Sequence, residues 1–334
     1  MKILSSIAQL SEIPGPLCVA IGVFDGVHLG HQELIRRTRE EAAGGQGTPV
    51  VLTFHPHPVR VLRPESAPHL LTSTPHKQRL IEAQGCPVLV CQDFTREFAA
   101  QPPEVFIEAL AAAARPLSRI CVGHNWAFGR NRSGNVALLE ELGRRLGFAT
   151  MEIDPVVVDG DLVSSTRIRR AVEAGDFATA RRLLGRDYTI LGTVRHGRQL
   201  GGRIGFPTAN LAAHNEQFPP DGVYAVRAKL RDRWLGGVAN IGTRPTVNDT
   251  PERLLEVHLF GFSDRCYGED IEVRFEKFLR SERRFPSVDA LKEQISRDAE
   301  EARRVREGGT LPQEFRIGDD AKRDIWTGAP DDLL

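Results

Sequence analysis

The chain has 334 residues, long for one hydrophobic core, so two domains are expected. Its 44 basic side chains balance 44 acidic ones, which gives no general electrostatic pull toward nucleic acid or an anionic membrane and leaves small-molecule chemistry as the default. Cys18, Cys86, Cys91, Cys121 and Cys266 are odd in number, lack CxxC spacing and sit mostly in apolar runs, so buried thiols in a reducing, cytoplasmic setting are expected, without a zinc site or disulfide framework. No stretch approaches the ~18 apolar residues of a membrane span, and Met1-Lys2-Ile3-Leu4-Ser5-Ser6 is too broken by polar residues to form a signal-peptide core.

The first apolar run, Leu17 to Ile21, reads as a buried parallel strand. It runs into Gly22-Val23-Phe24-Asp25-Gly26-Val27-His28-Leu29-Gly30-His31 and then a helix whose Leu34, Ile35, Thr38 and Ala42 share one face. Such strand-to-helix turns lie at the carboxyl ends of parallel strands, where N–H groups at the helix start favour anions. His28 and His31, three apart at that start, can both face a phosphate; taken alone, the pair also fits a surface loop or a metal site. A second strand at 49–54 ends at His55-Pro56-His57-Pro58, where the prolines are expected to exclude a helix and stiffen a turn. Either histidine there can meet a phosphate or stand exposed. A helix at 75–83, a strand at 87–91, a helix at 103–113 and a strand at 120–122 continue the alternation of a doubly wound parallel sheet.

The strand at 120–122 leads to Gly123-His124-Asn125-Trp126-Ala127-Phe128-Gly129-Arg130, a polar loop with hydrogen-bond donors for a nucleotide. Trp126 and Phe128 can stack on an aromatic ligand or belong to the core. After a helix at 136–146 and a strand at 150–153 comes Val163-Ser164-Ser165-Thr166-Arg167-Ile168-Arg169. Ser165 is a natural helix cap, and hydroxyls beside free N–H groups form a second anion site. Two short helices end at Gly175 and Gly185.

From Tyr188 the pattern changes to short alternating strands, at 188–194, 223–230, 234–241, 254–260 and 271–279, with one helix at 288–305. A small antiparallel barrel with a closing helix is expected, with a domain boundary between Gly185 and Arg186. Its polar positions concentrate in Arg195-His196-Gly197-Arg198 through Gly201-Gly202-Arg203-Ile204-Gly205, and in Phe206-Pro207-Thr208-Ala209-Asn210. The Thr208 hydroxyl and Asn210 amide oxygen, two residues apart, can both reach one Mg²⁺ and a phosphate oxygen. Strand alternation sets Glu256, with His258, opposite Leu255, Val257 and Leu259. The segment 307–334 carries no readable motif.

These motifs resemble one known family. The GxFDGxHxGH stretch is similar to the signature of the HxGH nucleotidyltransferases, and its Phe24-Asp25-Gly26 version looks like the FMN adenylyltransferase half of bacterial bifunctional riboflavin kinase/FAD synthetases. The FHPHP element, the Ser164-Ser165-Thr166 run with Arg169, the GFPTAN element ending at Asn210, and Gly242-Thr243-Arg244-Pro245-Thr246 ahead of Glu256 resemble the same family in the same order, over about 15–305. HxGH alone is shared with adenylyltransferases for other phosphates; the kinase-like second half argues against those.

The resemblance implies a Rossmann-like nucleotidyltransferase domain over 1–185 and a riboflavin kinase barrel over 186–306. It implies phosphorylation of riboflavin to FMN by ATP, then adenylylation of FMN to FAD. His28 and His31 would act on the α-phosphate; Gly22, Phe24, Asp25, His57, Asn125, Ser164, Ser165 and Thr166 would line the ATP and FMN site, with Arg169 as a phosphate clamp. Thr208 and Asn210 would hold Mg²⁺ and ATP, and Glu256 would be the base for the ribityl 5′-hydroxyl. His124 and Trp126 depart from the acidic residue and Phe usual in the family. The implied partners are ATP, riboflavin and FMN, with no nucleic acid or membrane; the oligomeric state is left open.

Overall fold

Runs of β-branched and aliphatic residues bury both faces of a central sheet in the first half of the chain. The computed structural model describes residues 1–196, 205–244 and 252–308. Its parallel strands are β1 (Lys2–Leu4), β2 (Leu17–Ile21), β3 (Thr48–His55), β4 (Val88–Asp93), β5 (Leu117–Gly123) and β6 (Ala149–Ile153), in the order β1-β4-β3-β2-β5-β6. Connecting them are the helices α1 (Leu29–Gly44), α2 (Pro58–Leu62), α3 (Thr74–Ala83), α4 (Arg96–Ala99), α5 (Pro103–Ala113) and α6 (Val136–Leu146). Alternate residues separate the two faces. Val19, Ile21, Val50, Leu52, Ile120 and Val122 pack with Phe106 and Leu110 of α5 and Leu139 of α6. Ala20, Val51, Leu89 and Cys121 pack with Leu34 and Ile35 of α1 and Ile81 of α3. This is the doubly wound arrangement expected from the strand–helix alternation.

From β2 the chain builds outward through β3 and β4, then crosses to β5 on the other side. The topological switch point therefore lies between β2 and β5, and in open α/β sheets ligands bind outside the carboxyl ends of the strands at such a point. The loops that leave there are 22–28 and 124–135.

Packing divides the chain into two units, the first made of Met1–Pro68 and Thr74–Ser165, the second containing His69–Ser73 and the described residues from Thr166 onward. A two-stranded ribbon, β7 (Val157–Val158) with β8 (Asp161–Leu162), precedes α7 (Ser165–Glu173) and α8 (Phe177–Leu184). The barrel of the second unit consists of β9 (Thr189–Arg195), β10 (Ala209–Ala213), β11 (Gly222–Leu230), β12 (Arg233–Arg244), β13 (Glu252–Leu259) and β14 (Asp270–Arg280). It closes in the order β10-β13-β12-β11-β14-β9 with antiparallel pairs throughout. The helix α9 (Val288–Gly308) is tied to β14 by Arg280, whose guanidinium grips buried Asp298 at 2.8–3.1 Å, and by Lys277 on Glu301 at 2.8 Å.

Two sequence expectations fail locally. Pro58 does not exclude a helix; it starts α2 as the first helical residue, where its missing N–H has no intrahelical partner to lose. A sixth barrel strand, β10, adds to the five that alternation marks, because Leu211 is its one buried residue and the rest of Ala209-Asn210-Leu211-Ala212-Ala213 is small or polar. Pairing with β9 and β13 on its two sides, rather than its own composition, makes it a strand.

Candidate active site

In the first unit the residues of the 22–31 turn are brought together tightly. Asp25 is 3% exposed and His28 8%. The His28 and His31 rings stack with centroids 3.6 Å apart and planes 15° from parallel, and the Phe24 ring lies 5.1 Å from His31. His28 caps α1: its Nδ1 accepts the His31 backbone N–H at 3.4 Å. In the neutral ring that places the proton on Nε2, which makes the far nitrogen a donor suited to a phosphate oxygen. The turn is also strained. Phe24 has φ +55° and Val27 φ +41°, the latter a conformation that β-branched residues avoid, and Gly26 at φ +83° supplies the left-handed step between them. Such strain persists where the surroundings over-determine the backbone, as they do at functional sites.

Side chains from elsewhere hold this turn by its carbonyl oxygens. Thr53 Oγ1 donates to the Val23 carbonyl at 2.9 Å, Ser165 Oγ to that of Asp25 at 2.9 Å, and Gln32 Nε2 to that of Val27 at 2.9 Å. Ser165 thus spends its hydroxyl proton on the turn, leaving its oxygen lone pairs as acceptors. Ser164 precedes it, just ahead of α7.

His57 follows β3 and caps α2, with Nδ1 accepting the Val59 N–H at 3.2 Å, so its neutral ring also carries the proton on Nε2. His55, the other histidine of that element, shares a 2.9 Å hydrogen bond with the Thr74 hydroxyl. Asn125, at φ +63°, follows β5 on the other side of the switch point. Beside it His124 Nδ1 lies 2.7 Å from Glu152 Oε1, joining the ends of β5 and β6. Trp126 stacks on Phe128 at 4.3 Å, and both pack on the core, so one face of each ring is already covered.

Thr166 and Arg169 stand on the part of α7 that belongs to the second unit. There the Arg169 Nε donates to the His69 carbonyl at 2.8 Å.

In the barrel, Leu255, Val257 and Leu259 are buried while Glu256 and His258 face the other way, as strand alternation predicts. Registers place Arg195, Asn210, Glu256 and Asn240 directly across from one another on β9, β10, β13 and β12. Directly opposed residues share a face, so the carboxylate is flanked by two amides. Asn240 was missed in the sequence; only its register with Glu256 reveals it. Its Nδ2 donates to Glu282 Oε1 at 2.9 Å, and Glu282 lies over Gly242, where any Cβ would collide with it. The His258 Nδ1 is 2.8 Å from the Pro207 carbonyl and donates to it, holding the turn that presents Thr208. The glycine-rich stretch 197–204, Pro245 with Thr246, and the segment from 309 lie outside the described residues. Among the described residues no group of three or more His, Cys, Asp or Glu could hold a metal ion.

Comparison with known proteins divides along the same lines. A family model described as FAD synthetase matches 10–167, and one described as riboflavin kinase matches 184–306. The chain is 38% identical to the bifunctional riboflavin kinase/FMN adenylyltransferase of Haemophilus influenzae, over 91% of this chain and 98% of that one. It is 39% identical to the protein of the same name from Escherichia coli K12, over 91% of this chain and 97% of that one. Among solved structures it is similar to one titled a macrolide-efflux protein from Streptococcus pneumoniae, with a TM-score of 0.75 and 29% identity, covering 90% of this chain and 98% of that one.

Proposed function

The chain belongs to the bifunctional riboflavin kinase/FMN adenylyltransferases, and from that premise we propose how its residues share the two reactions. It phosphorylates riboflavin with ATP to FMN, and joins FMN to the AMP part of a second ATP to give FAD and pyrophosphate. We assign adenylyl transfer to 1–185 and the kinase to 186–306, and give no role to 307–334. No helix among the described residues is long and apolar enough to cross a membrane.

In adenylyl transfer an FMN phosphate oxygen attacks the α-phosphorus as the bond to pyrophosphate breaks. No covalent enzyme intermediate is needed, so the site works by alignment and by donors aimed at developing charge. His28 and His31 are the catalytic pair, donating to α-phosphate oxygens. Gly22, Phe24, Asp25, His57, Asn125, Ser164 and Ser165 bind the nucleotide and flavin, with Thr166 and Arg169 further along the same segment as phosphate contacts.

In the kinase reaction Glu256 takes the proton of the ribityl 5′-hydroxyl as its oxygen attacks the γ-phosphorus of ATP, and ADP leaves. Thr208 and Asn210 offer hard, uncharged oxygen donors, with Asn210 directly across from Glu256. That set fits Mg²⁺ arriving with a triphosphate that supplies its other oxygen ligands. When bound, the ion offsets phosphate charge.

The observation that carries this reading is the separation of two constellations: a strained, stacked-histidine turn at the switch point of one unit, and a carboxylate between two amides on the barrel of the other. The purified chain given riboflavin, ATP and Mg²⁺ should yield FMN and then FAD on separation of the flavins. Excess EDTA should stop both conversions and added Mg²⁺ restore them. Conversion undiminished by the chelator would contradict the assignment of Thr208 and Asn210.

A further inference from the structure

Beneath the strained turn lies a charge that the reaction as described leaves unused. Lys77 stands on the inward face of α3, one turn before the fully buried Ile81, and is itself only 7% exposed. Its Nζ donates to the Val23 carbonyl at 2.9 Å and lies 3.4 Å from the Thr53 hydroxyl, which is 1% exposed and donates to the same carbonyl. Burial pushes the ammonium below its ordinary range, while Asp25 and Cys91 act in the opposite direction. A methionine or leucine would fill this space without desolvating an ammonium, and buried charges are a poor means of gaining stability. The cost therefore points to the site above it.

Geometry says what that use is. Across a trans peptide the C=O and the following N–H point to opposite sides. With the Val23 carbonyl held by Lys77 and Thr53, the Phe24 N–H is aimed away from those anchors, and Ser165 and Gln32 hold the Asp25 and Val27 carbonyls further along the turn. Of the three anchored carbonyls, Val23 is the one that starts the turn, two residues after β2 ends and directly before the residue at φ +55°.

We propose that Lys77 is a positioning residue for adenylyl transfer: through the Val23 carbonyl it fixes the strained 22–31 turn, and with it the imidazoles that meet the nucleotide phosphates. This rests on the adenylyl-transfer reading of the first unit. Lys77 touches no reacting atom; it acts on the alignment of groups that do. Misalignment by about 1 Å costs on the order of 100-fold in rate. Loss of alignment at the transition state lowers kcat, whereas loss of uniform binding raises KM.

The test is Lys77→Met in the full chain, assayed with supplied FMN, ATP and Mg²⁺, with riboflavin phosphorylation followed in the same preparation. The expected result is a kcat for FAD formation lowered about 10- to 100-fold, a KM for ATP within about threefold of wild type, and a kinase rate within about twofold. A kcat within threefold of wild type, a rise confined to KM, or parallel loss of both activities would overturn the proposal. Should Lys77→Met fail to fold, Lys77→Gln decides, since its shorter side chain withdraws the donor from the Val23 carbonyl while keeping a polar head. A kcat lowered at least threefold at constant KM supports the proposal, and an unchanged kcat overturns it. Wild-type protein that makes no FAD would overturn both this inference and the reading beneath it; wild-type FAD formation with an unaffected Lys77→Met would overturn the inference alone.

Discussion

Glu256 sits between Asn210 and Asn240 in one row across three strands, and the two amides make its surroundings polar without adding charge. Replacing it by Gln keeps the shape and removes the base. Glu256→Gln should therefore lower FMN formation by about 10²–10⁴-fold, the usual worth of a general base, while supplied FMN is still converted to FAD. Equal loss of both activities would make the glutamate structural. Glu256 is legible in the sequence because a period of two sets it apart from Leu255, Val257 and Leu259. His28 and His31 are legible because strand, glycines and helix frame them. Asn240 and Lys77 are not. A polar residue in a strand says nothing of its neighbour until register is known, and a lysine in an amphipathic helix reads as solvent-facing unless burial is seen.

At the scale of elements, α7 and α8 follow the first sheet in the chain yet pack in the second unit. Phe177 of α8 stacks on Phe275 of β14 with centroids 5.6 Å apart and meets Tyr224 of β11 edge-on at 6.0 Å. Leu183 and Leu184 are fully buried there. Burial of a leucine contributes about 1.5–3 kcal/mol, and an aromatic pair about 0.5–1.5 kcal/mol beyond its area. A fragment starting at Thr166 and ending at Gly308 should thus unfold at a markedly higher temperature than one starting at Gly185, and phosphorylate riboflavin more durably. Equal melting temperatures would show that α7 and α8 add nothing to the barrel. The sequence reading ends these helices correctly at Gly175 and Gly185, both at positive φ, but periodicity carries no information on which core a helix joins. The same limit hides β10, whose strand character comes from its two partners.

In the molecule as a whole, one chain carries two chemically separate reactions, FMN being the product of one and the substrate of the other. Parallel and antiparallel halves are legible from the change in hydrophobic period near Tyr188; the packing of α7 and α8 in the second unit is not. The most direct measurement follows all three flavins over time in the wild type and in the double variant His28→Ala/His31→Ala, each given riboflavin, ATP and Mg²⁺. Donors matched to developing charge are worth roughly 3 kcal/mol each, so FAD formation in the variant should fall by orders of magnitude. Riboflavin phosphorylation should stay within a few-fold of wild type, and FMN should accumulate as the end product. FAD produced by the double variant at a near wild-type rate, or FMN and FAD lost together from a folded protein, would contradict the assignment of His28 and His31 to adenylyl transfer alone.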